Sequence, residues 1–143
     1  MKSKTTVAVT AGAVLLLLAV TAPRQPSAQP AASGFSAKPI LVAPVGSVDD
    51  RELVLNSIVI EPGASSPHHS HPGECYGSVV EGTVELVVDG QPPQRFTAGQ
   101  AWYNPRGRVH HVRNVGVVPA RLMNTLIVDK GQPRIQVVSD HAD

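Results

Sequence analysis

Six histidines stand in this chain of 143 residues. Five of them fall in two short clusters. The first is Pro67-His68-His69-Ser70-His71-Pro72-Gly73-Glu74-Cys75, and the second is Gly107-Arg108-Val109-His110-His111. His69 and His71 are two residues apart, and on a strand residues i and i+2 point to the same face. Two imidazoles on one face offer two nitrogen lone pairs to a single metal ion. His110, on a later strand, is the natural third ligand. The plainer reading is exposed loop histidines beside prolines; the pairing of two such clusters favours ligands. His68 and His111 adjoin the candidate ligands and, by alternation, face away from them. His141 lies alone in the tail, where solvent exposure is expected.

The elements that must carry these residues read as strands. From Ile40 onward the chain is a series of β-prone runs. Leu53–Leu55 and Ile58–Ile60 form one strand region that ends at Pro62-Gly63. Ser78–Val80 and Thr83–Val88 flank Glu81-Gly82, and Asp89-Gly90 marks a tight turn. Arg95–Thr97, Val109–Val118, Arg121–Val128 and Ile135–Val138 complete the set, and Trp102–Asn104 lie on a strand leading to the second cluster. No stretch sustains helical periodicity. About eight to ten short strands with regular turn signals predict an all-β barrel or double sheet.

Bulk composition agrees. Hydrophobic residues make up 42% and charged residues 16%, so a packed domain is favoured over disorder. Aromatics are only 3%, which leaves the core to Val, Ile and Leu. The N-terminus is different in kind. Lys2 and Lys4 precede an uncharged apolar run from Val7 to Ala22. A membrane span needs about 20 apolar residues, so this shorter run fits a signal peptide better. Residues 1–28 are read as that leader, 29–38 as a flexible Pro/Ala/Ser/Gln linker, 39–138 as the domain and 139–143 as a tail. The expected location is therefore periplasmic or secreted, with membrane contact only through an uncleaved leader. Without residues 1–28 the 12 basic and 11 acidic residues become 9 and 11, because Lys2, Lys4 and Arg24 go. No basic stripe suited to nucleic acid remains. The one cysteine, Cys75, excludes an intramolecular disulfide.

These residues resemble the cupin superfamily, whose two motifs are G-x5-H-x-H-x(3,4)-E-x6-G and G-x5-P-x-G-x2-H-x3-N. Gly99, Pro105, Gly107, His110 and Asn114 match every fixed position of the second, and Gly63, His69, His71 and Gly82 match the first. The resemblance covers roughly 39–138. It implies a small conical antiparallel β-barrel, a jelly-roll-like double-stranded β-helix, with a metal site inside. Gly63, Gly82, Gly99 and Gly107 fall at expected turns where a positive φ is required.

The departure is at the acidic ligand. Counting forward from His71 or back from Gly82 reaches Cys75, with Glu74 next to it. Three site models follow. Cys75 ligates as a thiolate, a softer set that favours Zn, Cu or Fe over Mn. Alternatively Glu74 shifts into place and gives three His and one Glu, suited to Fe, Mn or Ni. In the third model Cys75 is a buried small residue and the metal has three protein ligands. Trp102, Tyr103 and Met123 are candidates to line the pocket, with barrel packing as the plainer role. Arg106 is a candidate for an anionic ligand, with simple solvation as the alternative.

A fold of this kind does not name a reaction. One expectation is a metal-dependent enzyme, a dioxygenase-like oxidoreductase acting on a small molecule through one divalent transition metal. The other is a non-catalytic periplasmic domain that binds a ligand or sequesters metal. Whether the ion keeps an open coordination position separates them. The resemblance also implies a homodimer, since an open sheet edge needs covering.

Overall fold

A computed structural model describes residues 34–139. The expected leader and His141 lie outside that range. Ten strands follow one another: β1 (Phe35–Val45), β2 (Val48–Ile60), β3 (His69–Ser70), β4 (Gly73–Glu81), β5 (Thr83–Val88), β6 (Gln94–Thr97), β7 (Ala101–Asn104), β8 (His110–Asn114), β9 (Ala120–Asp129) and β10 (Gln136–Val137). They form two five-stranded antiparallel sheets, ordered β1-β2-β9-β4-β7 and β10-β3-β8-β5-β6. No helix occurs among the described residues. The all-β reading holds, and the four turn glycines named above all take positive φ, between 71 and 89 degrees.

The inner faces are read off the alternation. On β5, Val84, Leu86 and Val88 are buried while Thr83, Glu85 and Val87 are only partly so. On β9, Ala120, Leu122, Leu126 and Val128 point inward. Ile60, Val79, Val84, Leu86, Val112 and Leu122 join into one apolar cluster. Val54, Cys75, Leu126 and Val128 form a second, smaller one. Burying a side chain of this size contributes roughly 1.5–3 kcal/mol, so branched aliphatics suffice where aromatics are scarce.

Two boundaries differ from the expectation. The first strand begins at Phe35, so residues 35–38 of the expected linker belong to the barrel. Phe35 pairs with Ile60 and packs on the larger cluster. Pro39 and Pro44 disguise the strand in the sequence, yet β1 is an edge, where a missing N–H is tolerated. The run Val109–Val118 is strand only over His110–Asn114. Asn114 ends it: its Nδ2 donates to the carbonyls of Ile60 and Val118, and its Oδ1 accepts from the Gly116 amide.

Candidate metal centre

Strand pairing brings the two histidine clusters together. His69 on β3 pairs directly with His110 on β8, and His110 pairs with Val88 on β5. His71 lies just beyond β3. The Gly107 amide donates to the His71 carbonyl, which ties the second cluster's turn to the first. Gly107 takes φ 71 there, a conformation that costs a residue with a Cβ. All three rings are buried, each less than 10% exposed.

Each ring is held by a backbone carbonyl. Nδ1 of His69 donates to Pro67 O at 2.7 Å, Nδ1 of His71 to Arg134 O at 2.7 Å, and Nδ1 of His110 to Arg108 O at 2.9 Å. The neutral imidazole then carries its proton on Nδ1 and its lone pair on Nε2. Burial first, then the neighbouring His110, lowers the pKa of His69 to about 3. Burial likewise lowers that of His110 to about 4 and pulls His71 down. All three are therefore neutral near pH 7.

The Nε2 atoms of His69 and His71 face each other at 3.2 Å. Two lone pairs at that distance repel unless a cation lies between them. Nitrogens bound at about 2.0–2.1 Å to one ion, at tetrahedral or right angles, stand about 2.9–3.4 Å apart. The donor atoms of His69, His71 and His110 all lie within 4.8 Å of one another. The cluster therefore fits a single transition-metal ion, and imidazole donors suit Zn, Cu, Fe and Ni.

The other candidate ligands are placed differently. Glu74 is on the outer face of β4, where Arg51 Nη1 donates to its Oε2 at 3.0 Å. Alternation sends Cys75 inward and Glu74 out, and the Pro72-Gly73 turn does not reverse this. Glu74 is not brought to the histidines. Cys75 is fully buried and lines the same cavity. Its sulfur is not among the donor atoms that converge. Asn124 Nδ2 donates to it at 3.1 Å, and burial pushes the thiol pKa up to about 12. Of the three ligand models, the arrangement brings together only the three-histidine set.

The cavity above the rings holds about 140 Å³. Its walls are mainly apolar, with Ile58, Trp102, Val112, Leu122 and Leu126 among them. Among the described residues no Asp or Glu lines it. Trp102 lies flat over Gly77, where an added Cβ would come within 2.2 Å of the indole. Tyr103 points the other way and stacks on Tyr76 at 5.2 Å, so it does not line this cavity. Met123 does line the cavity. Arg106 is engaged by both carboxylate oxygens of Asp129, at 2.7 and 2.9 Å, so it does not reach into the cavity. His68 contacts Asp89 on the outside. Asn124 and the Arg134 carbonyl were not legible in the sequence, because each meets the site from a strand or loop far along the chain.

Comparison with known proteins agrees with this picture. The Cupin domain family matches residues 56–129, just over half of the chain. Germin-like protein subfamily T member 2 of Arabidopsis thaliana is 33% identical over 98 residues, covering 65% of this chain and 44% of that protein. A Cupin 2 conserved barrel domain protein from Salinispora arenicola superposes with a TM-score of 0.53 at 28% identity, over 67% of this chain and 76% of that one. Dimethylsulfoniopropionate lyase DddQ of Ruegeria pomeroyi superposes with a TM-score of 0.61 at 20% identity, over 76% of this chain and 54% of that one. The chain spans less than half the length of the curated relatives it matches. With the family match, the two-sheet barrel and the motif residues in agreement, this chain belongs to the cupin family.

Proposed function

We propose that this protein is a metal-dependent enzyme, an oxygenase acting on a small, largely apolar molecule at an ion held by His69, His71 and His110. The observation that carries the reading is the common orientation of the three rings. Each Nδ1 is tied to a carbonyl, so three Nε2 lone pairs turn toward one point. A bound divalent ion would supply Lewis acidity and, if redox-active, electron transfer.

The chain's own residues do the positioning. His69, His71 and His110 would hold an ion with three protein donors and so keep positions for substrate, whereas a storage site would close the fourth. This favours catalysis over sequestration. Ile58, Leu122 and Leu126 exclude water from the bound molecule. Three neutral imidazoles would leave a divalent ion's charge unbalanced, which would favour a substrate that carries an electron-rich oxygen. Cys75 stays a thiol at neutral pH and does not serve as a base. The reaction is not carried over from the relatives, since a germin-like protein and a lyase share the family.

The reading includes export and self-association. The uncharged run Val7–Ala22 supports a leader, and N-terminal sequencing of the mature protein tests it. Exposed Ile40, Leu41 and Val42 on the edge strand β1 support a homodimer, which sedimentation tests.

Metal analysis of the purified protein tests the centre. The expected result is about one transition metal per chain, lost in His110→Ala, with oxygen uptake on screening small substrates. A wild type that takes up no metal after reconstitution would overturn the reading.

A further inference from the structure

A second cleft opens between β6 and β7, the edge strands of the two sheets, and holds about 270 Å³. Leu86, Val88, Phe96 and Trp102 contribute its apolar walls, and Gln91, Gln94 and Arg108 its polar ones. Trp102 also lines the histidine cavity, so its ring stands between the two spaces.

Three observations give this cleft a sign. The first is Arg108. Arg51, Arg95, Arg106, Arg113, Arg121 and Arg134 each have a carboxylate oxygen within 3.2 Å. Among the described residues Arg108 has none, and no Asp or Glu of theirs lines the cleft. The second is a pair of orphaned donors in its lining. Trp102 Nε1 and Asn104 Nδ2 are both buried without an acceptor among the described residues. Buried donors are paired in nearly all proteins, so two unpaired ones on neighbouring residues of this lining mark a spot where the packing leaves polar groups unsatisfied. The third is the aromatic wall. Phe96 and Trp102 stand with ring centroids 5.1 Å apart and planes tilted by 48 degrees.

We propose that this cleft binds a small aromatic carboxylate, with its ring against Phe96 and Trp102 and its carboxylate on the Arg108 guanidinium. In the polar lining Arg108 supplies both the cation and N–H donors. A carboxylate only accepts, and a guanidinium fork matches its two oxygens. A planar ring gains offset or edge contacts on the aromatic wall. The site is independent of the metal.

Trp102 is the chain's only tryptophan and lines both spaces, so its fluorescence responds to a ligand in either, and the Arg108 variant and chelation tell the two apart. Benzoate is titrated into the protein as purified and again after chelation, with benzamide as the neutral isostere. Saturable change with benzoate is expected in both preparations, with benzamide at least about tenfold weaker. Arg108→Gln, which retains the backbone carbonyl used by His110, should weaken benzoate by about tenfold or more while its circular dichroism stays native. His110→Ala should bind benzoate like the wild type. The proposal is overturned if benzoate gives no saturation at millimolar concentration, or if Arg108→Gln binds it equally well. It is also overturned if binding vanishes on chelation or in His110→Ala, which would put the anion on the metal instead. Failure of metal binding alone leaves this site standing.

Discussion

Two buried polar residues on β8 stand four positions apart and are treated in opposite ways. Asn114 spends both ends of its amide inside the protein, on the Ile60 and Val118 carbonyls and the Gly116 amide. His110 spends only Nδ1, on the Arg108 carbonyl, and turns Nε2 toward two other imidazoles. A buried polar group usually finds partners, because leaving one unpaired costs about 1–3 kcal/mol. Asn114 therefore reads as architecture, closing the packed end of the barrel. The histidines read as function, since their free lone pairs are satisfied only by something that binds. Both residues belong to the same sequence motif, and only their hydrogen bonds separate the two roles.

The largest expected effect breaks the architectural side. Asn114→Ala removes three hydrogen bonds, one buried and two part-buried, and should cost about 3 kcal/mol in urea unfolding. Metal per folded chain should be unchanged. Loss of metal in the folded fraction would show that the two ends are not separable.

The next effect acts on the histidine side through pH. His69 and His110 have folded-state pKa values near 3 and 4, below the ordinary 6.5, because burial penalises their charged forms. The unfolded chain therefore binds more protons than the folded one between pH 6.5 and those values. Stability is full above pH 6.5 and is lost as pH falls toward 4 and then 3. In metal-free protein the urea midpoint should drop across this window, and His110→Ala should flatten the drop. A wild-type midpoint that stays level would mean the rings are hydrated. The same protons compete for Nε2, so bound metal should be released on acidification.

The smallest effects sharpen the ligand set. Glu74→Gln removes an ion pair with Arg51 in which both side chains are about 30% exposed. It should cost no more than about 1 kcal/mol, with metal content unchanged. Cys75→Ser leaves an oxygen for Asn124 to donate to and should also keep the metal. Loss of metal in Cys75→Ser would make the sulfur a fourth ligand; loss in Glu74→Gln would show that β4 rotates when the ion binds.

How much was legible follows the range of each interaction. The turn glycines, the strand runs and the i, i+2 histidines are local features, written in neighbouring residues. Phe35 was hidden because linker-like composition also suits an edge strand, and only its pairing with Ile60 makes it core. Tyr103 and Trp102 are adjacent in a short aromatic run, and the register with Gly77 decides which one turns inward.

The sequence by itself determined an all-β cupin chain with three candidate histidine ligands, because backbone periodicity and turn chemistry act over a few residues. Only the tertiary structure decided that Glu74 faces out, that Arg106 is taken by Asp129 while Arg108 meets no carboxylate among the described residues, and that each imidazole offers Nε2. Those outcomes depend on which carbonyl, carboxylate or facing strand lies a few ångströms away, and such partners come from positions far along the chain.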